Sequence, residues 1–252
     1  MSLSPRQREI LGWLSDASRL STDQLASRFG VSSQTIRRDI NALSAQGLAR
    51  RMHGGLSLPG SQHNLSYTQR STAHVERKRR IARRAVAVVE PDTTLFLGYG
   101  TTVAEFARAL PPELPLRVVT NNLDAAHALA DKPEIETWVT GGRLRPRDRD
   151  LMGSVTLDFL RRFRAHLAIC GAAAIDAEGG LYEFQPDEAE LSRMMLSHSH
   201  SRVLLADSSK YLRDAPCRVA TLDQIDHFFT DVDAATPLPA LCERAGVALH
   251  LC

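Results

Sequence analysis

The sequence lacks long apolar runs, paired cysteines and, for a chain with 31 basic residues, almost all lysine. No stretch approaches the roughly 18 consecutive apolar residues of a membrane span, and the first ten residues contain no apolar signal core, so we expect a cytoplasmic protein. The four cysteines are scattered without a C-x-x-C pair, which predicts free thiols rather than a disulfide framework or a zinc site. The three lysines, Lys78, Lys132 and Lys210, are therefore conspicuous among 28 arginines.

Charge is distributed unevenly along the chain. Residues 1–84 hold 15 Lys and Arg against 5 Asp and Glu, a net charge of +10. Residues 85–252 hold 16 against 24, a net charge of −8, so the overall value of +2 hides the asymmetry. A basic first third joined to an acidic remainder predicts a polyanion-binding domain on a separate body, with chance clustering as the alternative.

The first 58 residues carry the capping signals of three helices. Ser4 and Ser21 each have a glutamine three positions later, which is the capping-box pattern of a helix N-terminus. Gly30 can take the left-handed conformation that ends the second helix, and Ser32 or Ser33 can cap the third. The order helix, helix, short turn, helix predicts a helix-turn-helix domain.

The third helix has one apolar side and one polar side. Ile36, Ile40 and Leu43 recur at helical spacing and are predicted to be buried. At about 1.5 Å per residue the helix is about 18 Å long, enough to lie in a major groove. Residues near its N-terminus, Arg37 among them, are expected to read bases. The candidate DNA-binding residues at this helix are Ser32, Ser33, Gln34, Thr35, Arg37, Arg38 and Asn41.

A β-wing is predicted directly after the third helix. Residues 48–56 read as a short strand, a Gly-Gly turn and a returning strand. This wing would place Arg50, Arg51 and His53 against the DNA backbone. For the Arg37-Arg38 pair, the alternative is a solvated helix face without a partner.

Two segments resemble the winged-helix signature of the DeoR family of bacterial regulators. They are residues 31–40, VSSQTIRRDI, and residues 51–55, RMHGG. The resemblance implies that residues 1–58 form a winged helix-turn-helix domain that binds double-stranded operator DNA. Residues 59–75 are polar with little periodicity and are predicted to be a linker.

Residues 76–252 are predicted to form a second domain of the α/β class. A helix is expected over residues 76–90. From residue 94 onward, short apolar runs alternate with amphipathic helices, which predicts a doubly wound parallel sheet. The predicted strands are 94–97, 117–120, 137–140, 167–170, 202–206, 228–230 and 247–251, and the further helices are 102–110, 123–130, 155–162, 187–199 and 239–245.

The residues that follow these strands are small, polar or cationic, and ligands of such sheets bind outside the carboxyl ends of the strands. Residues 98–102, GYGTT, form a glycine loop running into a helix, whose bare N–H groups suit a phosphate. A tight turn with a threonine cap is the alternative. The candidate effector-binding residues are Gly98, Tyr99, Gly100, Thr101, Thr102, Asn121, Gly142, Arg143 and Lys210.

Other ligands fit this pattern less well. The glycine loop lacks the third glycine of a dinucleotide fingerprint, and the next strand does not end in an acidic residue for a ribose. His198 and His200, two residues apart near a helix end, would not converge on a metal. Acidic residues at 187, 188 and 190 start a helix, where acids are ordinary. We therefore expect neither a metal nor a cofactor, and a small phosphorylated molecule fits better.

The second domain also resembles the DeoR-family sensor domain, which is similar in fold to sugar-phosphate isomerases. The supporting stretches include TLFLGYGTT (94–102), LRVVTNNL (116–123), GGRLRPRD (141–148) and VTLDFLRRFR (155–164). The resemblance is strongest to members that control glycerol 3-phosphate genes. It implies a repressor that glycerol 3-phosphate releases from DNA. Because a winged-helix domain reads only a few base pairs, we expect a homo-oligomer, dimer or tetramer. Residues 98–102 would be its phosphate loop, and Asn121 and Lys210 would line its pocket.

Two departures from the family pattern leave the effector open. The family usually has aspartate where Gly98 stands, and it favours glycines where residues 172–174 are alanine. A different phosphosugar effector, or a sensor without a ligand, is therefore an alternative. A sugar-phosphate enzyme that keeps a regulatory domain is a further one, but isomerisation needs a general base, and Gly98 removes one candidate carboxylate. We expect a regulator rather than an enzyme.

Overall fold

The computed structural model of the chain describes residues 3–17, 19–46, 48–52, 54–57 and 67–252. The chain divides into two compact units, residues 1–64 and 65–252. Within the described ranges, no helix has the length and apolar character needed to cross a membrane.

The N-terminal unit combines three helices with a small antiparallel sheet. Its sheet has the order β1-β3-β2. The three predicted helices and the two strands of the wing are confirmed, and β1 is a strand that sequence reasoning missed. The elements are α1 (Pro5–Ala17), β1 (Arg19–Ser21), α2 (Thr22–Phe29), α3 (Ser33–Ala45), β2 (Arg50–Met52) and β3 (Gly55–Ser57).

The capping residues expected from the sequence define the helix ends. At α1 the Gln7 amide donates to Ser4 Oγ at 3.2 Å, and the Ser4 amide donates to Gln7 Oε1 at 3.0 Å. Ser21 and Gln24 make the same exchange at α2, at 3.0 and 2.9 Å. Gly30 follows α2 with φ 61°, a left-handed conformation that favours glycine. The Ser4 and Ser21 bonds fix the starts of α1 and α2, and Gly30 ends α2 before the turn to α3.

The C-terminal unit is built on a seven-stranded sheet with the order β15-β14-β12-β9-β4-β5-β6. Neighbouring strands in it are all parallel. The α/β class and all seven predicted strands are confirmed, with ends shifted by up to three residues. The strands of this unit are β4 (Thr93–Leu97), β5 (Leu116–Thr120), β6 (Ile135–Val139), β7 (Arg143–Arg145), β8 (Asp150–Met152), β9 (Ala165–Cys170), β10 (Ala174–Ile175), β11 (Gly180–Glu183), β12 (Ser199–Leu205), β13 (Cys217–Thr221), β14 (His227–Thr230) and β15 (Ala248–Leu251).

The strand order creates a switch point between β4 and β9. The chain runs outward from β4 through β5 to β6, and then returns to the opposite side of β4 with β9. Alternate residues of β4 join different apolar clusters, Phe96 on one face of the sheet and Leu95 and Leu97 on the other. Both faces are therefore buried, and the crevice at the carboxyl ends of β4 and β9 is the place where such sheets bind ligands.

The helices of the C-terminal unit include the six that were predicted. A seventh, α4, corrects the linker prediction, because the second part of residues 59–75 is helical rather than irregular. The Tyr67 ring is buried, and its amide donates to the Arg147 carbonyl oxygen at 3.0 Å. Residues 58–66 lie outside the described ranges. The helices are α4 (Tyr67–Thr72), α5 (Val75–Ala85), α6 (Thr101–Ala109), α7 (Leu123–Leu129), α8 (Ser154–Leu160), α9 (Pro186–Ser197) and α10 (Leu238–Ala245).

Two small antiparallel sheets were not predicted. One is the hairpin of β7 and β8, and the other has the order β10-β11-β13. Their strands are two to five residues long, too short and too polar for periodicity to reveal them. Both sheets contribute side chains to the crevice at the end of β4.

Candidate DNA-binding and effector-binding sites

The polar side of α3 carries most of the predicted DNA-binding residues. Ile36, Ile40 and Leu43 are buried in the core of the N-terminal unit, which turns the opposite side of the helix outward. Ser32 has a second role, because its Oγ accepts from the Thr35 amide at 3.2 Å and caps the helix. Ser32, Gln34, Arg37, Arg38 and Asn41 are exposed, and Ser33 and Thr35 are half-buried.

The wing and α3 are joined by a direct side-chain contact. Arg51 of β2 donates to Asn41 Oδ1 at 3.2 Å. Arg50 also lies in β2, where it pairs with Ser57 of β3. His53 lies outside the described residues. The contact joins a predicted DNA-binding residue of α3 to a residue of the wing that was predicted to lie against the DNA backbone.

A buried carboxylate fixes α3 against α1. Asp39 is 6% exposed, and its two oxygens accept from Arg6 Nε at 2.6 Å and from Gln7 Nε2 at 3.1 Å. Sequence reasoning missed this contact, because an aspartate beside two arginines reads as part of a solvated face. Asp39 therefore orients α3 and leaves Arg37 and Arg38 on the open side.

The loop after β4 is held by a residue that sequence reasoning did not select. Asn122 is buried, and its Nδ2 donates to the carbonyl oxygens of Gly98 and Gly100, each at 3.1 Å. Its Oδ1 accepts from the amides of Asp124 and Ala125, which caps α7. The signal for this role was an asparagine directly before a predicted helix. Asn122 thus fixes the glycine loop and α7 together.

The glycine loop ends at the start of α6. Gly100 has φ 107°, which favours glycine, and Thr101 and Thr102 follow as the first, buried residues of the helix. The first N–H groups of a helix have no intrahelical partner and attract anions. Asn121 lies on the next strand end, fully buried, and its Nδ2 donates to the Leu151 carbonyl oxygen at 3.0 Å. Among the described residues, nothing hydrogen-bonds to Asn121 Oδ1.

Two cations lie at the carboxyl end of β12. Lys210 is half-buried, and burial together with the positive charge of Arg213 lowers its pKa to about 8. Arg213 donates to the Ala173 carbonyl oxygen at 3.3 Å and lies 4.9 Å from the Phe184 ring centroid, and burial lowers its pKa. Within the described ranges, neither cation forms an ion pair with a carboxylate. Sequence reasoning found Lys210 but not Arg213.

Asp207 begins the turn that carries Lys210, and its carboxyl group hydrogen-bonds to the backbone of that turn. Asp207 Oδ1 accepts from the Ser209 amide at 2.9 Å. Burial disfavours its ionised form, but the charge of Lys210 and the bonds from Ser209 hold the pKa of this carboxyl below its usual value. The charges of Lys210 and Asp207 therefore attract each other, but within the described ranges the two side chains form no direct ion pair.

Acidic groups and Tyr99 form the opposite side of the crevice. The Tyr99 hydroxyl donates to the Glu188 carbonyl oxygen at 3.1 Å and lies 3.0 Å from Ser192 Oγ, and burial beside Glu183 raises its pKa. Glu183 is 5% exposed, and burial together with the negative charge of Glu188 raises its pKa to about 8. A strongly shifted pKa in a crevice is typical of a functional site.

The hairpin of β7 and β8 reaches the site through a residue that was not selected. Gly142 and Arg143 are exposed, and a Cβ at Gly142 would lie 2.2 Å from Thr156 Oγ1, so packing requires this glycine. Arg145, two residues further on, donates to Glu188 Oε1 at 2.7 Å and lies 5.9 Å from the Tyr99 ring centroid. Arg145 is thus the hairpin residue that contacts the acidic side of the crevice.

A separate cavity of about 340 Å³ lies at the starts of α8 and α9. Met152, Leu157 and Leu191 supply its apolar walls, and Arg161 and Glu190 are among its charged residues. Its lining includes none of the predicted effector-binding residues. The candidate effector-binding residues lie instead at the carboxyl ends of β4, β5 and β12 and at the start of the hairpin of β7 and β8.

Both units match domains of known proteins. Residues 6–62 match the DeoR-like helix-turn-helix domain, and residues 73–232 match the DeoR C terminal sensor domain. The chain is 35% identical to the glycerol-3-phosphate regulon repressor of Escherichia coli (strain K12), with 100% of each chain covered. It is 36% identical over 228 residues to the HTH-type transcriptional repressor CsqR of the same organism, covering 90% of this chain and 87% of that protein.

Among solved structures, the chain is similar to ribose 5-phosphate isomerase A of Methanocaldococcus jannaschii, with a TM-score of 0.40, 20% identity and 53% of each chain covered. The family matches span most of the chain, and the identity to the repressor of Escherichia coli extends over its full length. The chain therefore belongs to the DeoR family, with a DeoR-like helix-turn-helix domain followed by a DeoR sensor domain.

Proposed function

We propose that this protein is a transcriptional repressor that glycerol 3-phosphate releases from operator DNA. The observation that carries the effector half of the proposal is the pair of cations, Lys210 and Arg213, that have no carboxylate ion pair within the described ranges and lie at the ligand-binding edge of the sheet. A dianionic phosphate would neutralise them. The names of the relatives support both the repressor role and this effector class.

The phosphate would lie between these cations and the start of α6. The amides of Thr101 and Thr102 offer donors there, and Asn121 offers a buried amide oxygen to a hydroxyl group. Lys210 would act as a point charge, and Arg213 as a planar donor to two phosphate oxygens. Gly142 and Arg143 stay predictions for this site, on the exposed hairpin.

The DNA half of the proposal assigns residues 1–58 to operator binding and residues 76–252 to effector sensing. A single winged-helix domain reads only a few base pairs, so we propose a dimer or tetramer that places two domains on two half-sites. The second candidate, a regulator for another phosphosugar, is favoured by Gly98, which offers no side chain to a ligand. Operator release by that sugar and not by glycerol 3-phosphate would establish it.

Arg37→Ala and Arg50→Ala are expected to weaken DNA binding in different ways. Loss of a base contact from Arg37 should cost about 1–3 kcal/mol on the operator and relax base preference. Loss of a phosphate contact from Arg50 should weaken all sequences alike and flatten the salt dependence. Fluorescence anisotropy with operator and random duplexes at several salt concentrations separates the two. Equal losses on both duplexes for Arg37→Ala would exclude base reading by this residue.

Operator release by glycerol 3-phosphate is expected to weaken as pH rises from 7 to 9. Over this range Lys210, with a pKa of about 8, loses its positive charge and Glu183, with a pKa of about 8, gains a negative one, whereas the phosphate remains a dianion. Loss of the Lys210 charge alone should lower the apparent affinity for glycerol 3-phosphate by a factor that approaches tenfold per pH unit above pH 8. The operator is taken from the DNA upstream of the gene or of neighbouring glycerol genes, and release is followed at fixed salt by anisotropy.

Two controls accompany this titration. Glycerol should not release the operator at any pH. Lys210→Arg keeps its charge over the whole range and should make the pH dependence shallower, leaving the part that ionisation of Glu183 contributes. Tight operator binding that glycerol 3-phosphate leaves unchanged at pH 7 would reject this effector and leave the DNA-binding assignment standing.

A further inference from the structure

We infer that Glu183 determines which phosphate esters this site accepts, because its carboxyl group binds the hydroxyl groups of a polyol phosphate. The inference rests on the proposed effector site, in which Lys210 and Arg213 hold the phosphate. It assigns the opposite end of the ligand, the polyol, to a residue of the small sheet that covers the crevice.

The backbone holds Glu183 over the end of β9. Glu183 is the last residue of β11, where it pairs with Cys217 of β13. One residue earlier, the Tyr182 carbonyl oxygen accepts from the amide of Ala173, which follows β9, at 3.0 Å. The carboxyl group is therefore delivered to the crevice by two neighbouring strands and not by a loose loop. It is 5% exposed.

Polar and charged groups surround this carboxyl from every neighbouring element. Tyr99 comes from the glycine loop, Cys170 from the end of β9 and Glu188 from α9. Lys210 lies on the turn after β12, and its positive charge acts on Glu183 together with those of Arg70 and Arg213. Glu183 thus stands between the tyrosine side of the crevice and the two cations that would hold a phosphate.

The side-chain hydrogen-bond partner of this carboxyl is the Tyr99 hydroxyl, which other groups also contact. Tyr99 has one hydroxyl hydrogen, and the Glu188 carbonyl oxygen and Ser192 Oγ compete for it at 3.1 and 3.0 Å. In the described part of the chain, no other side chain hydrogen-bonds to Glu183. A carboxyl group has several hydrogen-bonding positions, so one shared partner leaves positions that a ligand in the crevice can fill.

The protonation state of Glu183 matches a hydroxyl ligand. Burial and the charge of Glu188 raise its pKa to about 8, so the group is mostly neutral at pH 7. A neutral carboxyl group can donate one hydrogen bond and accept another. A hydroxyl group can also do both, so the carboxyl can bind one hydroxyl group or a neighbouring pair. A neutral group also avoids repelling the phosphate dianion.

Position 98 cannot take this role. Gly98 has no side chain, and a Cβ there would point at Met195 Sδ and Cys170 Sγ, 3.6 and 3.7 Å away. Cys170 is the same thiol whose pKa burial and the charge of Glu183 raise to about 12. A carboxyl at 98 and the carboxyl of Glu183 would thus compete for one region, and in this chain Glu183 occupies it.

The test compares two phosphate esters that differ in their hydroxyl groups. Isothermal titration calorimetry on the full-length protein measures Kd for glycerol 3-phosphate and for propyl phosphate, which has none. The wild-type protein should prefer glycerol 3-phosphate by about 10–100-fold, since a site built for a hydroxyl rejects the analogue that lacks it. Glu183→Ala should reduce this preference to about threefold or less and leave the Kd for propyl phosphate nearly unchanged.

Two further variants make the result specific. Glu183→Gln keeps a donor and an acceptor at the same length and should retain most of the preference. Glu178→Ala removes an exposed acid from the turn before β11 and should leave both Kd values unchanged. Circular dichroism verifies that each variant is folded. If Glu183→Ala does not fold, wild type and Glu183→Gln are compared at pH 9. At that pH the ionised Glu183 carboxylate has no hydrogen to donate, so wild type should lose the preference for glycerol 3-phosphate that Glu183→Gln keeps.

The outcomes separate this inference from the proposed function. Binding of both esters with an unchanged preference in Glu183→Ala would overturn the role of Glu183 and leave the phosphate site intact. Failure of folded wild-type protein to bind either ester would overturn the proposed effector, and the inference with it. Loss of preference in Glu178→Ala as well would show a general charge effect and also overturn the role of Glu183.

Discussion

Replacing Arg145 with alanine is expected to lower the free energy of unfolding by about 3–5 kcal/mol, the range for breaking a buried ion pair on one side. The Arg145 guanidinium donates to both oxygens of Asp150, at 2.8 and 2.5 Å, and to Glu188 Oε1 at 2.7 Å. Asp150 and Glu188 are 1% and 2% exposed, so alanine leaves two carboxylates buried without their counterion. Urea denaturation of the full-length protein, followed by circular dichroism, measures the loss.

Arg161 provides the matched control for this substitution. It pairs with Asp158 at 2.9 Å on an exposed face of α8, so Arg161→Ala should cost no more than about 1 kcal/mol. The deficit of Arg145→Ala should also shrink at pH 5, because burial raises the pKa of Asp150 and protonation removes its uncompensated charge. Similar losses for the two variants at pH 7 would mean that the buried cluster contributes no more than a surface pair.

Gly55→Ala is expected to break the pairing of the wing with β1, at a cost of about 3 kcal/mol, the upper end for overpacking. A Cβ at Gly55 would lie 2.2 Å from the Leu20 carbonyl oxygen and 3.0 Å from Ser21 Cα. Both are backbone atoms of the neighbouring strand, so no side-chain rotation relieves the contact. Operator affinity should fall by about tenfold or more as the wing loses its position, measured by anisotropy alongside thermal unfolding.

Gly12→Ala is the control for a glycine that nothing crowds. No atom lies within 4 Å of a Cβ built on Gly12, which is in the interior of α1. Alanine should therefore stabilise the N-terminal unit by up to about 1 kcal/mol through helix propensity. If Gly55→Ala matches Gly12→Ala in both its unfolding temperature and its operator affinity, the pairing with β1 does not hold the wing in solution.

Local signals accounted for most of the elements. The capping residues Ser4, Ser21 and Ser32 act on backbone amides three residues away, and short apolar runs between helices revealed every strand of the large sheet. Such features depend only on neighbouring residues, so they can be read from sequence. The glycine loop at residues 98–102 belongs to the same class, because a strand, two glycines and a helix follow each other directly.

The residues that were missed acquire their roles from distant partners. Arg145 reads as one of many surface arginines until Glu188, 43 residues away, is brought to it. Asp39 depends on Arg6 in the same way, and Glu183 becomes a buried acid only because a small sheet folds over the crevice. In a chain with 28 arginines, composition gives no indication of which arginines are buried. Long-range pairing therefore set the limit of sequence reasoning here.

The hairpin of β7 and β8 has a thermodynamic consequence that extends beyond its own stability. Arg145 of the hairpin binds Glu188 beside Tyr99, while Asp148 of the same hairpin forms an ion pair with Arg70 of α4. On the other side, Arg77 of α5 donates to Ser208 Oγ at 3.1 Å, next to the turn that carries Lys210.

The first two helices after the DNA-binding unit are thus bonded to both walls of the effector crevice. A ligand that shifts either wall changes the free energy of α4 and α5, and such coupling is reciprocal. Whatever factor the effector imposes on affinity for DNA, bound DNA imposes on affinity for the effector. If the proposed effector acts through these contacts, a DNA-bound copy of the protein and a free copy respond to different concentrations of it.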